Sequence, residues 1–249
     1  MGKLEFKYSS DQQYQLDAIN AVCDLFRGQE FLKSRFTVGY EPMHKSKGEQ
    51  SGLLGSGSTE QPELNFQASS IGHSNGLRLS ARQLEENLHA VQEANNLPQT
   101  RDVTGGRLRD FTIEMETGTG KTYVYTRTIY ELNRRYGLTK FVIVVPSVAI
   151  REGVKKSFES TKSHFEQLYD HTPLECFVYD SGKLGAVTNF AVSSSIQVMI
   201  INIGAFNKDN DFDEEEIAAS LANGNDKRNI FHRPSEKLIG GRSPQELVS

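Results

Sequence analysis

The sequence predicts an α/β fold in which a parallel sheet is covered by helices on both faces. From Asp110 onward, short apolar runs alternate with longer amphipathic segments, the order typical of strands joined by helices. Residues 141–145 are continuously apolar and mostly β-branched, as expected for a strand buried on both faces. We therefore divide the chain into a mainly helical N-terminal region, 1–109, and a sheet-containing region, 110–249.

The N-terminal region contains two predicted helices. Asp11 can cap the first, whose apolar stripe comprises Leu16, Ile19, Val22 and Phe26. Ser80 begins the second and Pro98 marks its end. The apolar face of this helix comprises Leu84, Leu88 and Val91. Residues 45–58 are rich in glycine and serine, which predicts a mobile insertion between the two helices.

The second region alternates strands with helices. The predicted strands are 111–115, 141–145, 176–179 and 198–201, and the predicted helices are 120–136, 147–169 and 183–192. Gly137 suits the position after its helix, and Ser147 can cap the helix that follows. This alternation predicts parallel strands with helical crossovers.

Composition excludes several classes of protein. The net charge of −4 does not indicate a strongly basic nucleic-acid binder, although a local basic face remains compatible with it. No apolar run approaches 18 residues, so we expect no membrane span. The isolated cysteines, Cys23 and Cys176, are expected to be free thiols in a reducing cytoplasm.

The stretch 116–122, Glu-Thr-Gly-Thr-Gly-Lys-Thr, lies between a predicted strand and a predicted helix. A triphosphate is a dense anion, so binding it requires several donors that converge on a small volume. Gly118 and Gly120 lack Cβ atoms and let the loop wrap closely. The backbone amides of the loop, including those of Thr117 and Thr119, then form an anion nest at the positive end of the helix. The stretch predicts a phosphate-binding loop.

Two side chains complete the predicted nucleotide site. Lys121 places a cation at the β and γ phosphates, and Thr122 places a hydroxyl where Mg²⁺ needs a ligand. The P-loop pattern is incomplete, because Met115 occupies the position at which the pattern has its first glycine. The form Thr-Gly-Thr-Gly-Lys-Thr is nevertheless common in ATP-driven nucleic-acid motors. We predict ATP and Mg²⁺ as ligands, with Lys121 as the catalytic cation.

Residues 110–127, 140–153 and 197–208 resemble motifs of the Res subunit of type III restriction-modification enzymes, which belongs to superfamily 2 of the helicases. Residues 110–127 resemble its motif I, residues 140–153 its motif Ia, and residues 197–208 the segment leading to motif Ib. The resemblance implies that region 110–249 is the first RecA-like motor lobe. It also implies a hydrolase that couples ATP-dependent movement on DNA to endonuclease cleavage, together with a methyltransferase partner, Mod.

The resemblance also implies which residue reads the base. Residues 14–19, Tyr-Gln-Leu-Asp-Ala-Ile, resemble the glutamine motif that recognises adenine in this superfamily, which places Gln15 at the base. The Gln15 amide carries both a donor and an acceptor, as the adenine edge requires. Gln12 and Gln13 remain alternative readers.

Three residues are candidates for contact with DNA. Ser147 and Arg151, in the stretch similar to motif Ia, would hold phosphate without reading bases. Asn202, in the stretch leading to motif Ib, is a similar candidate.

Hydrolysis of ATP also requires an acidic residue that orients Mg²⁺ and water. In the family this is an Asp-Glu box after motif Ib, and no acidic pair following an apolar strand occurs before Ser249. We therefore expect a lobe truncated before the box and inactive in hydrolysis alone. Two alternatives remain, namely another superfamily 2 helicase and a nucleotide-binding module that does not hydrolyse ATP.

Overall fold

The computed structural model describes residues 8–31, 75–100, 110–206 and 231. The helices in these ranges are α1 (Gln13–Asp24), α2 (Ala81–Ala94), α3 (Lys121–Tyr136), α4 (Val148–Leu168), α5 (Gly185–Val192) and α6 (Ile203–Phe206). The strands are β1 (Lys140–Val145), β2 (Leu174–Val178) and β3 (Ile196–Asn202). None of the described helices combines the length and hydropathy needed to cross a bilayer. The glycine- and serine-rich stretch 45–58 lies outside the described residues.

The described strands form one parallel sheet in the order β1-β3-β2. Val198 at the centre of β3 pairs with Phe141 of β1 and with Cys176 of β2. Helix α4 joins β1 to β2 and helix α5 joins β2 to β3, so each connection is a helical crossover. The predicted α/β fold with a parallel sheet is confirmed.

Both faces of the central strand are covered. Val198 packs on one face with Phe165 of α4, and Met199 packs on the other with Phe190 of α5 and with Phe231. Each of these five side chains is at most 1% exposed. Successive residues of a strand point to opposite faces, so an apolar run without alternation is what a doubly covered strand needs. Helix α4 therefore covers one face of the sheet and helix α5 covers the other, as predicted.

Helix α1 is docked along helix α3. Ile19 and Cys23 of α1 pack with Val124 and Tyr136 of α3 in a cluster of buried side chains. The Tyr136 hydroxyl donates a hydrogen bond of 2.9 Å to the carbonyl of Cys23. The N-terminal helix is therefore fixed to the helix that follows the predicted phosphate-binding loop.

Both cysteines are free thiols, as predicted. Cys23 is fully buried and Cys176 is half-buried. Burial disfavours the thiolate and raises the pKa of each thiol to about 12. Both side chains are therefore protonated near neutral pH and unreactive as nucleophiles.

Glu131 of α3 is the centre of a polar network that joins three helices. Its Oε2 accepts hydrogen bonds from Arg134 (2.7 Å) and Arg135 (3.0 Å), and its Oε1 accepts one from the Tyr169 hydroxyl (2.8 Å). Arg135 also donates to Oδ1 of Asn20 in α1 at 2.7 Å. Burial raises the pKa of this carboxyl, but hydrogen bonds from Arg134 and Tyr169 outweigh it and leave the pKa below its usual value.

Several predicted helix ends are confirmed. Ser80 and Gln83 form a capping box at the start of α2, in which Ser80 Oγ accepts from the Gln83 amide at 3.3 Å. Ser147 Oγ accepts from the Ile150 amide at 3.3 Å and caps α4. Gly137 ends α3 in the left-handed conformation, with φ of +72°. These ends were predictable because each depends on residues three or four positions apart in the sequence.

The predicted capping role of Asp11 is wrong. Helix α1 begins at Gln13 with Gln12 as its N-cap, and no side chain caps it. The Asp11 carboxylate instead accepts a hydrogen bond from Ser9 Oγ. Asp11 lies one residue before the N-cap, so its short side chain is not placed to cap the free amides of the first turn.

The predicted strand at 111–115 is also wrong. Residues 110–116 have no regular secondary structure and pair with no described strand. Met115 packs against the α1–α3 cluster, while Ile113 is 44% exposed. A strand exists only where a neighbouring strand completes its hydrogen bonds, and the described sheet places no strand beside this segment.

Lys140, at the first position of β1, is a buried cation. It is 9% exposed, and its Nζ donates to the carbonyl of Ser193 and lies 5.7 Å from the centre of the Phe190 ring. Burial disfavours the ammonium form and lowers the pKa of Lys140 from 10.5 to about 8. The folded state therefore carries a desolvation cost at neutral pH.

Replacement of Lys140 by methionine is expected to raise the free energy of unfolding at pH 7 by about 1–2 kcal/mol. Lys140 destabilises the folded wild type less as the pH rises from about 8 toward 10.5, because the unfolded chain binds more protons than the folded chain in this range. The advantage of the variant should therefore shrink by pH 9.5. Urea unfolding at both values measures this, with Lys156→Met at an exposed position as the control. A constant difference between pH 7 and 9.5 would contradict the prediction.

Candidate functional site

The predicted phosphate-binding loop forms a tight turn directly before α3. Gly118 and Gly120 both have φ of +84°, a left-handed conformation that favours glycine. The Thr119 hydroxyl donates to the Glu116 carbonyl across the turn at 2.7 Å. The two glycines are thus required by the backbone of the loop itself.

The first turn of helix α3 presents backbone amides without hydrogen-bond acceptors beside this loop. Gly120 is its N-cap and offers no side chain, and the first hydrogen bond within the helix runs from the Val124 amide to the Gly120 carbonyl at 3.0 Å. The amides of Lys121, Thr122 and Tyr123 therefore lie at the positive end of the helix without a capping side chain. Thr122 is half-buried in the first turn. This arrangement suits an anion.

The Lys121 side chain folds back over the loop. Its Nζ donates to the carbonyls of Met115 and Glu116, both at 2.6 Å. An ammonium group has three donors, so one remains for a further acceptor. The residue is exposed at the surface, so its cation is accessible at the mouth of the loop.

Gln15 of α1 closes the other side of the loop. It is 7% exposed, and its Nε2 donates to the carbonyl of Thr119 at 2.9 Å. A Cβ atom at position 120 would lie 2.7 Å from Gln15 Nε2, whereas one at position 118 would meet nothing within 4 Å. The structure therefore brings the predicted base-reading region and the predicted phosphate-binding residues into direct contact.

Two of the three candidate DNA-contacting residues lie at the same edge of the sheet. Val145 at the end of β1 pairs with Asn202 at the end of β3, and Ser147 follows two residues after Val145. The exposed Ser147 hydroxyl caps α4, and Arg151 forms an ion pair with Glu152 at 3.0 Å. Asn202 Oδ1 is buried and accepts no hydrogen bond from the described residues.

Two features of these surroundings could not be predicted from the sequence. Tyr14, beside Gln15, is 49% exposed and hydrogen-bonded to residues around it. Val148, Ile150 and Ile203, at the same sheet edge as Ser147, are 54%, 48% and 45% exposed. Nothing in the local sequence distinguishes these apolar residues from core residues.

Among the described residues, no group of three or more His, Cys, Asp or Glu side chains could hold a metal ion.

Comparison with known proteins gives a family match. The family model described as "Type III restriction enzyme, res subunit" matches residues 77–231, more than half of the chain. The chain is similar to the EcoPI Res subunit of Escherichia phage P1, with 33% identity over 151 residues, or 54% of this chain and 16% of the relative. It is similar to the StyLTI Res subunit of Salmonella typhimurium, with 41% identity over 112 residues, or 38% of this chain and 11% of the relative.

A third relative is the EcoP15I Res subunit of Escherichia coli, 33% identical over 148 residues, which cover 53% of this chain and 15% of the relative. The matched part of the chain thus spans 11–16% of the length of these curated relatives. The parallel sheet with helical crossovers agrees with the RecA-like α/β fold expected of this helicase-like family. Because the family match covers more than half of the sequence, the chain belongs to the family of type III restriction enzyme Res subunits.

Proposed function

We propose that this chain binds ATP with Mg²⁺ on residues 116–120 and the first turn of α3. The observation that supports this most directly is a turn with two left-handed glycines immediately before a helix without a capping side chain. Converging amides and a helix dipole favour a compact polyanion over other ligands. The residues we assign to the phosphates are Thr117, Gly118, Thr119, Gly120, Lys121 and Thr122.

Each assigned residue has a separate task. Gly118 and Gly120 let the amides approach the phosphates, and Lys121 gives its third donor to the terminal phosphates while its carbonyl contacts keep it over the loop. The Thr122 hydroxyl would be a ligand of the Mg²⁺ that accompanies the nucleotide, and that cation would neutralise phosphate charge. Gln15 extends this site toward the adenine.

The site also supports a proposal for the whole protein. The three relatives are subunits of type III restriction-modification enzymes. We propose that this family member couples ATP turnover to movement along DNA and to cleavage of the DNA. It would act with a Mod methyltransferase subunit and in the cytoplasm, where DNA and ATP are present. In this proposal Ser147 and Arg151 hold the DNA backbone, because a hydroxyl and a guanidinium donate to phosphate without reading bases. Asn202 lies at the same edge.

Replacement of Lys121 by alanine tests the nucleotide site. A charged hydrogen bond contributes about 1.5–3 kcal/mol, so we expect ATP binding to weaken by about 10- to 100-fold. Titration of the purified chain with fluorescent ATP and Mg²⁺ measures this. Lys156→Ala, which removes the same charge from the exposed surface of α4, should leave the affinity unchanged. Equal affinity of the Lys121 variant and the wild type, both folded by circular dichroism, would refute the proposal.

A further inference from the structure

Tyr125 of α3 buries a hydroxyl group that bonds to none of the described residues. Its ring packs against the core cluster that contains Phe165 of α4, and the ring centre lies 6.3 Å from that of Phe158. A phenylalanine would make the same packing contacts without a polar atom. The hydroxyl therefore carries a desolvation cost that the packing of the core does not explain.

The side chain of Thr122 is the polar neighbour of this hydroxyl. Thr122 lies three residues before Tyr125, so the two side chains share one face of α3. Burial raises the pKa of Tyr125, and the hydrogen-bonding side chain of Thr122 lowers it in part. The phenol therefore stays protonated at neutral pH and remains a donor. The two hydroxyl groups are neighbours that do not form a hydrogen bond in this structure.

The direction of the Thr122 hydroxyl is not fixed by the helix. Threonine in a helix divides between two side-chain rotamers, because its hydroxyl can also bond to a carbonyl of the preceding turn. Mg²⁺ takes oxygen ligands in a strict octahedral arrangement, so it suits only a rotamer that turns the oxygen toward the phosphates. A donor beside the Thr122 oxygen would favour one of these rotamers over the other.

We infer that Tyr125 is a positioning residue for the Mg²⁺ site, and that its hydroxyl donates to Thr122 Oγ1 when this oxygen coordinates the cation. A hydroxyl oxygen has two lone pairs, so it can accept from Tyr125 and bind the cation at the same time. The buried phenol thereby gains an acceptor, and Thr122 keeps the orientation that the metal needs. This inference rests on the proposed nucleotide site, because Thr122 has a cation to bind only if ATP lies on the loop.

Replacement of Tyr125 by phenylalanine removes the hydroxyl and keeps the ring. We expect Tyr125→Phe to bind ATP about three- to tenfold more weakly than the wild type in excess Mg²⁺, as for one hydrogen bond between neutral groups. In EDTA the affinities of the two proteins should be equal, because no cation is then bound by Thr122. Titration with fluorescent ATP under both conditions measures how much Mg²⁺ strengthens binding in each protein.

Tyr179 provides a matched control for this substitution. Its hydroxyl is also buried without a partner among the described residues, but its ring packs with Phe190 and Phe231 on the other face of the sheet. Tyr179→Phe should therefore keep the wild-type response to Mg²⁺. Neither substitution removes a hydrogen bond seen in the structure, so both variants should be at least as stable as the wild type in urea unfolding without nucleotide.

A second substitution tests whether Tyr125 acts through Thr122. Thr122→Val replaces the hydroxyl by a methyl group and should weaken binding in Mg²⁺ but not in EDTA. In this background Tyr125→Phe should cause no further loss, because the acceptor of its hydroxyl is already gone.

The inference is overturned, with the nucleotide site left in place, if Tyr125→Phe responds to Mg²⁺ as the wild type does. Equal weakening in Mg²⁺ and in EDTA overturns it as well, since this would show a purely structural role. The same holds if the losses from Tyr125→Phe and Thr122→Val simply add. In each case ATP binding would still depend on Lys121. Absence of ATP binding by a folded wild-type chain would instead remove the proposed function and this inference with it.

Discussion

Replacement of Glu131 by alanine will lower the free energy of unfolding by about 2–4 kcal/mol, because it leaves the partners of a buried carboxylate unpaired. Glu131 is 5% exposed and accepts from Arg134, Arg135 and Tyr169. The Tyr169 hydroxyl would lose its acceptor in the core between α3 and α4. Urea unfolding followed by circular dichroism measures the change.

Glu159 provides a matched control for this variant. It forms an ion pair with Lys155 at 3.9 Å on the exposed surface of α4, so Glu159→Ala should change stability by less than about 0.5 kcal/mol. The Glu131 pKa is lowered in the folded state, so its contribution is present above the ordinary pKa of 4.5 and declines as pH falls below that value. Equal losses of unfolding free energy in the two variants at pH 7 would contradict the stabilising role of the Glu131 network.

Substitution of Gly120 by alanine will reduce both stability and ATP binding. The left-handed conformation at φ of +84° costs an alanine about 1–2 kcal/mol. Its Cβ would lie 2.7 Å from Gln15 Nε2, so the Gln15 side chain has to move away and lose its bond to Thr119, which adds about 1 kcal/mol. The total is about 2–3 kcal/mol of unfolding free energy. ATP affinity should fall more than about tenfold, because the loop and Gln15, the residue proposed to contact the adenine, are both displaced.

Gly118 offers an unusually close control for this experiment. It has the same φ of +84°, but a Cβ there meets nothing within 4 Å, so Gly118→Ala should show the conformational cost alone. In a Gln15→Ala background the extra cost at position 120 should disappear, since the neighbour that it meets is gone. Denaturation curves and fluorescent ATP titrations provide the comparison. The four variants are Gly118→Ala, Gly120→Ala, Gln15→Ala and the double variant at positions 15 and 120. Equal losses at 118 and 120 would show that the Gln15 contact is unimportant.

Most of the fold could be predicted from the sequence because it depends on local patterns. The continuous apolar run in β3 reflects burial on both faces, and Ser80 and Ser147 cap helices through bonds to residues three positions away. The glycines at 118 and 120 indicated their loop for the same reason. Each of these features is determined by a few neighbouring residues.

The features that could not be predicted depend on residues far apart in the chain. Glu131 and its arginines have the spacing of an exposed helical pair, and only Tyr169, 38 positions away, makes the carboxylate a buried centre. Residues 111–115 have the composition of a strand, but a strand also needs a neighbour that the local sequence does not specify. The resemblance placed Gln15 near the base, while the direction of its amide is set by Thr119.

The hydrogen bond between Gln15 and Thr119 connects residues 104 positions apart. Closing a segment of that length carries an entropic cost of about 4 kcal/mol or more, which one hydrogen bond does not offset. The docking of α1 along α3 supplies the remainder, so we expect the loop to reach its final shape only after these two helices have packed together. An excised peptide containing only the glycine-rich motif would therefore lack this geometry, and the proposed nucleotide site requires the assembled tertiary structure.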